Sequence, residues 1–203
     1  MINNITIKKS EFIKSVVNTK DLPQDEIGHI CVLGRSNVGK SSFINKLCSN
    51  YKLARVSKEP GRTRMLNLFL INDGDFYLVD FPGYGYQKGG KTFNAMWGSL
   101  IEEYFATCQK IRQVLVLVDI RHAPSQNDID MVHYLYVNQI PFCVLASKSD
   151  KVPKTKITAS INMLASHLKI GKDNIMPFSS QNGHNIDTIT QFIFQKVNGE
   201  LNT

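Results

Sequence analysis

The segment HICVLGRSNVGKSSFINKLC, residues 29–48, decides the fold of this 203-residue chain. It opens with a short apolar run, residues 29–34, which is typical of a buried β-strand. It closes with residues 41–48, in which the apolar side chains recur at helical spacing. Between them, Gly34 to Ser41 match the pattern GxxxxGK[ST] in the strand-to-helix context that the pattern requires. We therefore predict a loop that binds the phosphates of a nucleotide.

Each fixed position of this loop has a physical reason. Gly34 and Gly39 let the backbone wrap a phosphate without a Cβ in the way, and the N-terminus of the following helix favours an anion. Lys40 is expected to reach the β- and γ-phosphates, and Ser41 to offer its hydroxyl to Mg²⁺. The other predicted nucleotide contacts in this loop are Arg35, Ser36, Asn37, Val38 and Ser42.

Strand-like apolar segments alternate with amphipathic helical segments along the rest of the chain. Residues 65–71 and 76–80 are joined by a tight-turn sequence, so these two strands should pair antiparallel. The other continuous Val/Ile/Leu runs predict parallel strands that are buried on both sides. We expect an α/β fold around the phosphate loop: a mostly parallel six-stranded sheet with one antiparallel strand and helices on both faces.

The N-terminal region is polar and mixed in character. We predict a single domain, residues 1–203, made of an N-terminal extension (1–26) and a core (27–200). Within the extension, residues 5–7 alternate and are a candidate edge strand, and the rest is expected to be a loop that leads into the fold.

Two further motifs are expected to complete the phosphate site. Asp80 closes a strand and begins DFPG, residues 80–83; its carboxylate can hold Mg²⁺ through water, and Gly83 N–H can contact a γ-phosphate. Thr63, within PGRTR (60–64), is a candidate for the second hydroxyl on Mg²⁺, ordered only when a γ-phosphate is present. The predicted nucleotide contacts around these motifs also include Gly61, Arg62, Arg64, Met65, Phe81 and Pro82.

Residues 147–150, SKSD, follow an apolar strand and resemble the guanine motif [NT]KxD. Asp150 can accept hydrogen bonds from guanine N1–H and N2–H₂, a pattern that adenine lacks. Lys148 can lay its stem on the base, and Ser147 keeps the hydroxyl of threonine and can brace the loop. Residues 178–180 sit where a backbone N–H would reach guanine O6. The predicted base contacts are Ser147, Lys148, Ser149, Asp150, Phe178, Ser179 and Ser180.

Charge and apolar content limit the classes of function. The chain has 24 Lys and Arg against 17 Asp and Glu, a net charge of +7, which favours a polyanionic partner. Residues 46–64 hold much of this basic excess. No apolar run of about 18 residues and no signal-peptide core are present, so we expect a cytoplasmic protein without a membrane span. The four cysteines lack metal-ligand spacing and are expected to be buried, reduced thiols.

Four strings in order resemble one family. GRSNVGKSS (34–42), PGRTR (60–64), DFPGYGY (80–86) and SKSD (147–150) resemble the EngB family of ribosome-biogenesis GTPases, also called YihA or YsxC. The resemblance covers roughly residues 20–200 and implies a P-loop GTPase fold. It implies a bacterial protein that binds GTP and GDP, acts with rRNA or ribosomal proteins in assembly of the large ribosomal subunit, and is needed for normal cell division and septation.

The resemblance also implies roles at the site. Mg²⁺ would be bound by Ser41 and Thr63, with Asp80 acting through water. The catalytic residues would be Lys40, Thr63 and Gly83. The small size of the chain and the absence of a coiled-coil pattern favour a monomer.

Tyr84 follows Gly83, where many GTPases carry a Gln that orients the attacking water. A phenol cannot do this in the same way, so we predict slow intrinsic hydrolysis that a partner rescues. Asn37 has two readings: a contact to K⁺ near the phosphates, as in some related GTPases, or a loop residue that satisfies local backbone. Residues 51–64 and 83–91 are the expected nucleotide-sensitive switches.

Two alternatives stay open. A nucleotide kinase or ATPase on the same loop would need a lid with clustered Arg and a catalytic acid, and the sequence shows neither. A regulatory or signalling GTPase that does not act on the ribosome would carry the same motifs. The ending GELNT offers no lipidation cysteine for a membrane-trafficking GTPase. The basic charge near the switches favours docking on RNA or ribosomal protein.

Overall fold

The computed structural model describes residues 6–54, 65–84 and 93–199, with residues 93–99 described by their backbone alone. The strands are β1 (Ser10–Val16), β2 (His29–Gly34), β3 (Leu66–Ile71), β4 (Phe76–Asp80), β5 (Ile111–Asp119), β6 (Phe142–Ser147) and β7 (Ile175–Pro177). The helices are α1 (Lys40–Leu47), α2 (Phe93–Thr107), α3 (Gln126–Val137), α4 (Lys154–Leu168) and α5 (Ile186–Asn198). None of the helices in these ranges is long and apolar enough to cross a membrane.

The described strands form a seven-stranded sheet in the order β1-β3-β4-β2-β5-β6-β7. β3 runs antiparallel to both of its neighbours, whereas the pairs from β4 to β7 are parallel. The predicted hairpin of β3 and β4 is confirmed; its turn places Asn72, Asp73 and Gly74 at φ values of 48°, 59° and 140°. The predicted fold class, a mostly parallel sheet with one antiparallel strand, is confirmed.

The sheet has one strand more than the six that the sequence predicts. The additional strand, β1, lies in the expected extension and begins at Ser10, beyond the candidate edge strand at residues 5–7. A β-bulge between Phe12 and Lys14 interrupts its alternation. Phe12 therefore faces one side of the sheet, and the fully buried Val16 faces the other.

Helices cover both faces of the sheet, as its continuous apolar strands require. On one face, α1 and α5 contribute Phe43 and Ile193 to the core. On the other face, α2, α3 and α4 contribute Tyr104, Met131 and Leu164. Every residue of β2 is buried, which places this strand at the centre of both layers.

The cysteines behave as small apolar residues, in agreement with the sequence prediction. All four are free thiols; Cys31, Cys48 and Cys143 are buried, and Cys108 is half-buried. Burial raises the pKa of Cys48 and of Cys143 to about 12, so neither forms a thiolate at neutral pH.

His29 is buried at the start of β2, at the end of the sheet opposite to the phosphate loop. Its Nδ1 lies 2.7 Å from the hydroxyl of Tyr104, and its Nε2 is buried without a hydrogen-bond partner in the part of the chain described. The pKa of His29 is lowered to about 4, chiefly by desolvation and to a smaller extent by Lys110, while Asp25 opposes the shift. The ring is therefore neutral at neutral pH.

The lowered pKa predicts a loss of stability in acid. His29 takes up a proton near pH 6.5 in an unfolded chain but only near pH 4 in the folded protein, so stability falls as the pH drops between these values. The loss should reach about 3 kcal/mol. Urea unfolding from pH 4 to 7 measures this loss. The free energy of unfolding of His29→Gln should vary less with pH than that of wild type. His133→Gln, changed at an exposed position, should show the same pH dependence as wild type. Equal pH dependence of His29→Gln and wild type would contradict this assignment.

Candidate nucleotide-binding site

The predicted phosphate loop joins β2 to α1 and has the backbone geometry of an anion cradle. A Cβ on Gly34 would lie 2.8 Å from Val38 Cγ1 and 3.1 Å from Leu117 O, so a larger residue does not fit. Asn37 and Gly39 adopt positive φ values of 64° and 110°. Gly39 is the N-cap of α1 and has no side chain, so the N–H groups of the first turn are left for an anion.

Lys40 and Asp80 meet at the centre of the site. The Nζ of Lys40, at the start of α1, lies 2.9 Å from Oδ1 of Asp80, at the end of β4. Only 11% and 12% of the two side chains are exposed. The pair forms because β4 lies parallel to β2, with Asp80 aligned with Val32. The structure thus brings together the predicted phosphate lysine and the carboxylate predicted to act on Mg²⁺.

The oxygen donors beside the phosphate loop fit a magnesium ion that is bound together with a nucleotide. Among the described residues, no group of three or more His, Cys, Asp or Glu could hold a metal by itself. Mg²⁺ at nucleotide sites needs only one or two protein oxygens, because phosphate oxygens and water complete its shell. Ser41, in the first turn of α1, and the buried carboxylate of Asp80 are donors of this kind.

The DFPG segment runs along the phosphate loop. A Cβ on Gly83 would lie 3.0 Å from Ser36 N, which leaves no space for a side chain unless the loop moves. Ser36 N–H donates to Tyr84 O at 3.0 Å, and Tyr84 N–H donates to Gly34 O at 3.3 Å. The Phe81 side chain is only 1% exposed and points into the core, so only its backbone can face a ligand.

Ser147 and Lys148 tie the predicted base loop to the phosphate loop. Ser147 Oγ donates to Val38 O at 3.1 Å, which is the bracing bond expected of this hydroxyl. Lys148 donates from Nζ to Asn37 O at 3.3 Å and to Asp119 Oδ2 at 2.9 Å. The ammonium is thereby held beside the phosphate loop, and the aliphatic stem can lie along a base.

Asp150, the last residue of the base loop, is held as an ionised acceptor. Ser179 Oγ donates to Asp150 Oδ1 at 2.6 Å. This bond, with a smaller contribution from Lys151, keeps the pKa of the Asp150 carboxyl below its ordinary value. Phe178 packs edge-on against Phe43 at 5.1 Å between ring centroids, so the Phe178 ring belongs to the core.

The remaining predicted contacts fall into two groups. Those within the described residues are Arg35, Ser41, Ser42, Met65, Pro82, Ser149 and Ser180. Those outside the described residues are Gly61, Arg62, Thr63 and Arg64, together with residues 85–91 of the second predicted switch. Their roles stay predictions.

The site also contains charged residues that the sequence analysis missed. Asp119 ends β5 as Asp80 ends β4, so the same strand-end argument could have found it. Desolvation alone would raise the pKa of the Asp119 carboxyl, but hydrogen bonds from Arg121 and Lys148 outweigh it and hold the pKa well below its ordinary range. Asp128, at the start of α3, does not end a strand, so no comparable sequence pattern marks it as a site residue. A cleft of about 460 Å³ beside the phosphate loop is lined by these groups.

Known proteins resemble this chain over almost its full length. Residues 29–148 match the family described as 50S ribosome-binding GTPase. A probable GTP-binding protein EngB of Exiguobacterium sibiricum is 42% identical over 94% of this chain and 99% of its own length. The chain belongs to the EngB family of GTP-binding proteins.

Other relatives agree with this placement. A probable EngB of Clostridium perfringens is 41% identical over 96% of this chain and 99% of its own length. The crystal structure of a probable GTP-binding protein engB shares the fold: it has a TM-score of 0.66 at 23% identity and covers 85% of this chain and 100% of its own. The predicted family is confirmed, and this EngB-family chain is a GTPase, an enzyme that hydrolyses GTP.

The brace between the two loops generates a prediction for this GTPase. Ser147→Ala removes the donor to Val38 O and unties the base loop, so the affinities for GDP and for a GTP analogue should both fall by about fivefold. Ser147→Thr retains the hydroxyl and should bind like wild type. Titration with fluorescent nucleotides measures both variants. Equal affinities of Ser147→Ala and wild type would show that the brace does not support binding.

Proposed function

We propose that this chain is a nucleotide-switched assembly factor for the large ribosomal subunit, with slow intrinsic GTP hydrolysis and a role in normal cell division. One observation carries the proposal: residues 29–148, which include the phosphate loop and the lysine of the base loop, match the family described as 50S ribosome-binding GTPase. Its partners would be GTP, GDP and the rRNA or proteins of the large subunit. It would act as a monomer in the cytoplasm, where ribosomes are assembled.

The described contacts support a guanine nucleotide in the site. The uncapped N-terminus of α1 and the ammonium of Lys40 suit the phosphates. Asp150, kept ionised by Ser179, can accept from guanine N1–H and N2–H₂. Adenine offers neither of these two donors, so the carboxylate would lose its hydrogen bonds to the base.

The proposal assigns Mg²⁺ to Ser41 and Thr63, with Asp80 holding it through water. When bound, the ion neutralises negative charge on the β- and γ-phosphate oxygens. In the nucleotide complex, Lys40 would turn its ammonium to the phosphates and leave the Asp80 carboxylate free to accept from water. Gly83 N–H would contact the γ-phosphate.

Slow hydrolysis is supported by the direction of Tyr84. Its side chain is only 4% exposed, and its hydroxyl donates to Asp128 at the start of α3, so the phenol is already engaged and does not take the role of the water-orienting Gln. In this proposal, the ribosomal partner supplies the group that orients the attacking water. A K⁺ ion near Asn37 stays a prediction, because the positive φ of Asn37 also suits a purely structural loop residue.

Exposed lysines beside the base loop support docking on RNA. Lys151, Lys154 and Lys156 are exposed at and before the start of α4, next to Asp150. Ammonium groups on such a surface attract the RNA backbone and release its counterions. Residues 55–64 and 88–91, which would extend this basic surface along the switches, lie outside the described part of the chain.

Docking on the large subunit is tested by co-sedimentation with purified 50S particles. We expect more protein in the pellet with a GTP analogue than with GDP, and less as the KCl concentration rises. Lys154→Glu with Lys156→Glu, at the start of α4, should weaken binding. Lys169→Glu with Lys172→Glu, equal in charge but beyond the end of α4, is the matched control. If wild type pellets no more with 50S particles than without them, whichever nucleotide is present, the alternative is favoured: a signalling GTPase that does not act on the ribosome.

The base pocket is tested separately by Asp150→Asn. An amide can donate to the C2 carbonyl of xanthine but cannot accept both guanine donors, so affinity should move from GTP to xanthosine triphosphate. We expect GTP binding to weaken by roughly 100-fold. Asp173→Asn, at an exposed position, controls for the loss of one charge. If Asp150→Asn keeps its preference for guanine, the assignment of this pocket is wrong.

A further inference from the structure

The side chain of Tyr84 is buried and forms a hydrogen bond inside the protein. Its hydroxyl donates to Asp128 Oδ1 at 2.9 Å, and the two residues are only 4% and 2% exposed. Burial raises the pKa of Tyr84 well above its ordinary value, so the phenol keeps its proton and remains a donor. The bond joins the segment that follows Gly83 to the start of α3.

Asp128 is fixed from its other side as well. Its Oδ2 accepts from the N–H of Ser125 at 2.9 Å and from the Ser125 hydroxyl at 2.7 Å, which closes the capping box of α3. Arg35, in the phosphate loop, places a guanidinium nitrogen 3.8 Å from the same oxygen. Asp128 therefore touches α3, the phosphate loop and the segment after Gly83, and its carboxylate cannot shift without breaking a helix cap.

The backbone of Tyr84 is attached to the phosphate loop at the same time. Its N–H donates to Gly34 O at 3.3 Å, and its carbonyl accepts from Ser36 N–H at 3.0 Å. These bonds form a parallel bridge between Tyr84 and Arg35. Gly83 immediately precedes this bridge and packs against the backbone of Ser36. The side chain and the main chain of Tyr84 thus hold Gly83 from one side.

We propose that Tyr84 and Asp128 form an anchor that keeps Gly83 against the phosphate loop in every nucleotide state and so positions its N–H for a γ-phosphate before GTP binds. The anchor rests on the proposed function, in which Gly83 contacts the γ-phosphate. Both are positioning residues, since their side chains act through Gly83. Gly83 and Tyr84, which the sequence analysis places at the start of the second switch, would then keep their place when the nucleotide changes.

The burial of the bond is the physical reason for its persistence. A hydrogen bond to a carboxylate is stronger than one between neutral groups, and removing its donor inside the protein leaves the acceptor unsatisfied. A loop that is already in place loses little freedom when its ligand binds. Only GTP has a γ-phosphate, so the anchor should favour GTP over GDP.

The experiment compares affinities for a non-hydrolysable GTP analogue and for GDP in the full-length protein with Mg²⁺. Tyr84→Phe removes only the hydroxyl, and we expect about tenfold weaker binding of the analogue with GDP changed by less than about twofold. Tyr77→Phe is the matched control: the Tyr77 hydroxyl donates to Asp25 at 2.9 Å, and the residue lies at the start of β4, away from the loop. It should leave both affinities unchanged.

A second variant decides the question if Tyr84→Phe fails to fold. Asp128→Asn keeps the shape and one oxygen acceptor but removes the charge, and it should lower the analogue affinity in the same direction, by about threefold. Gln126→Ala is the control: it removes another side-chain bond in the first turn of α3, from Gln126 Nε2 to Asp130 Oδ1 at 2.7 Å, and leaves Asp128 untouched. Its ratio of GTP-analogue to GDP affinity should equal that of wild type.

The ratio of the two affinities separates the anchor from a general structural role. Equal losses for both nucleotides, no loss for either, or a gain for the analogue in Tyr84→Phe would each overturn the anchor. A wild-type protein that binds neither guanine nucleotide would instead refute the proposed function.

Discussion

The parallel pairing of β2 with a strand on each side is the constraint on which the site depends. β2 continues directly into the phosphate loop, so the register of its neighbours decides which side chains stand beside that loop. The pairing with β4 aligns Val32 with Asp80, and one strand further the pairing of β5 with β6 aligns Asp119 with Ser147. A slip of one residue would turn each of these side chains to the opposite face of the sheet. The backbone ladder therefore sets the chemistry at the loop.

The two lysines of the site are each paired with a carboxylate from the end of a strand. The two pairs are expected to respond differently when a nucleotide binds. Lys40 and Asp80 are almost fully buried, and an ammonium there without a counter-ion would be costly. We infer that this pair is opened when phosphate replaces the carboxylate. Lys148 shares Asp119 with Arg121 and is also bound to the phosphate loop, so this pair can persist if the lysine stem lies along a base as we propose.

Local patterns were readable from the sequence, and contacts between distant segments were not. The phosphate loop and the hairpin turn at residues 72–75 depend on their own few residues, and both were predicted. β1 was missed because its bulge hides the alternation that marks a strand. The Tyr84–Asp128 bond joins residues 44 positions apart, and an acidic residue in the first turn of a helix is too common to single it out. Thr63 and its neighbours lie outside the described residues, so their place stays a prediction.

The use of Tyr84 for packing has a consequence for catalysis. A side chain that is buried and bonded to Asp128 cannot also orient water at the phosphates. Many GTPases have a catalytic Gln at this position, whereas Tyr84 serves to hold the segment in place. The residues that bind GTP are thus distinct from the group that would orient the attacking water. The site can be arranged for GTP binding while that group is still missing. Under the proposed function, this GTPase would keep its GTP until the ribosomal partner supplies the missing group. Hydrolysis would then report that docking has occurred, which is the order of events that the proposed assembly role requires.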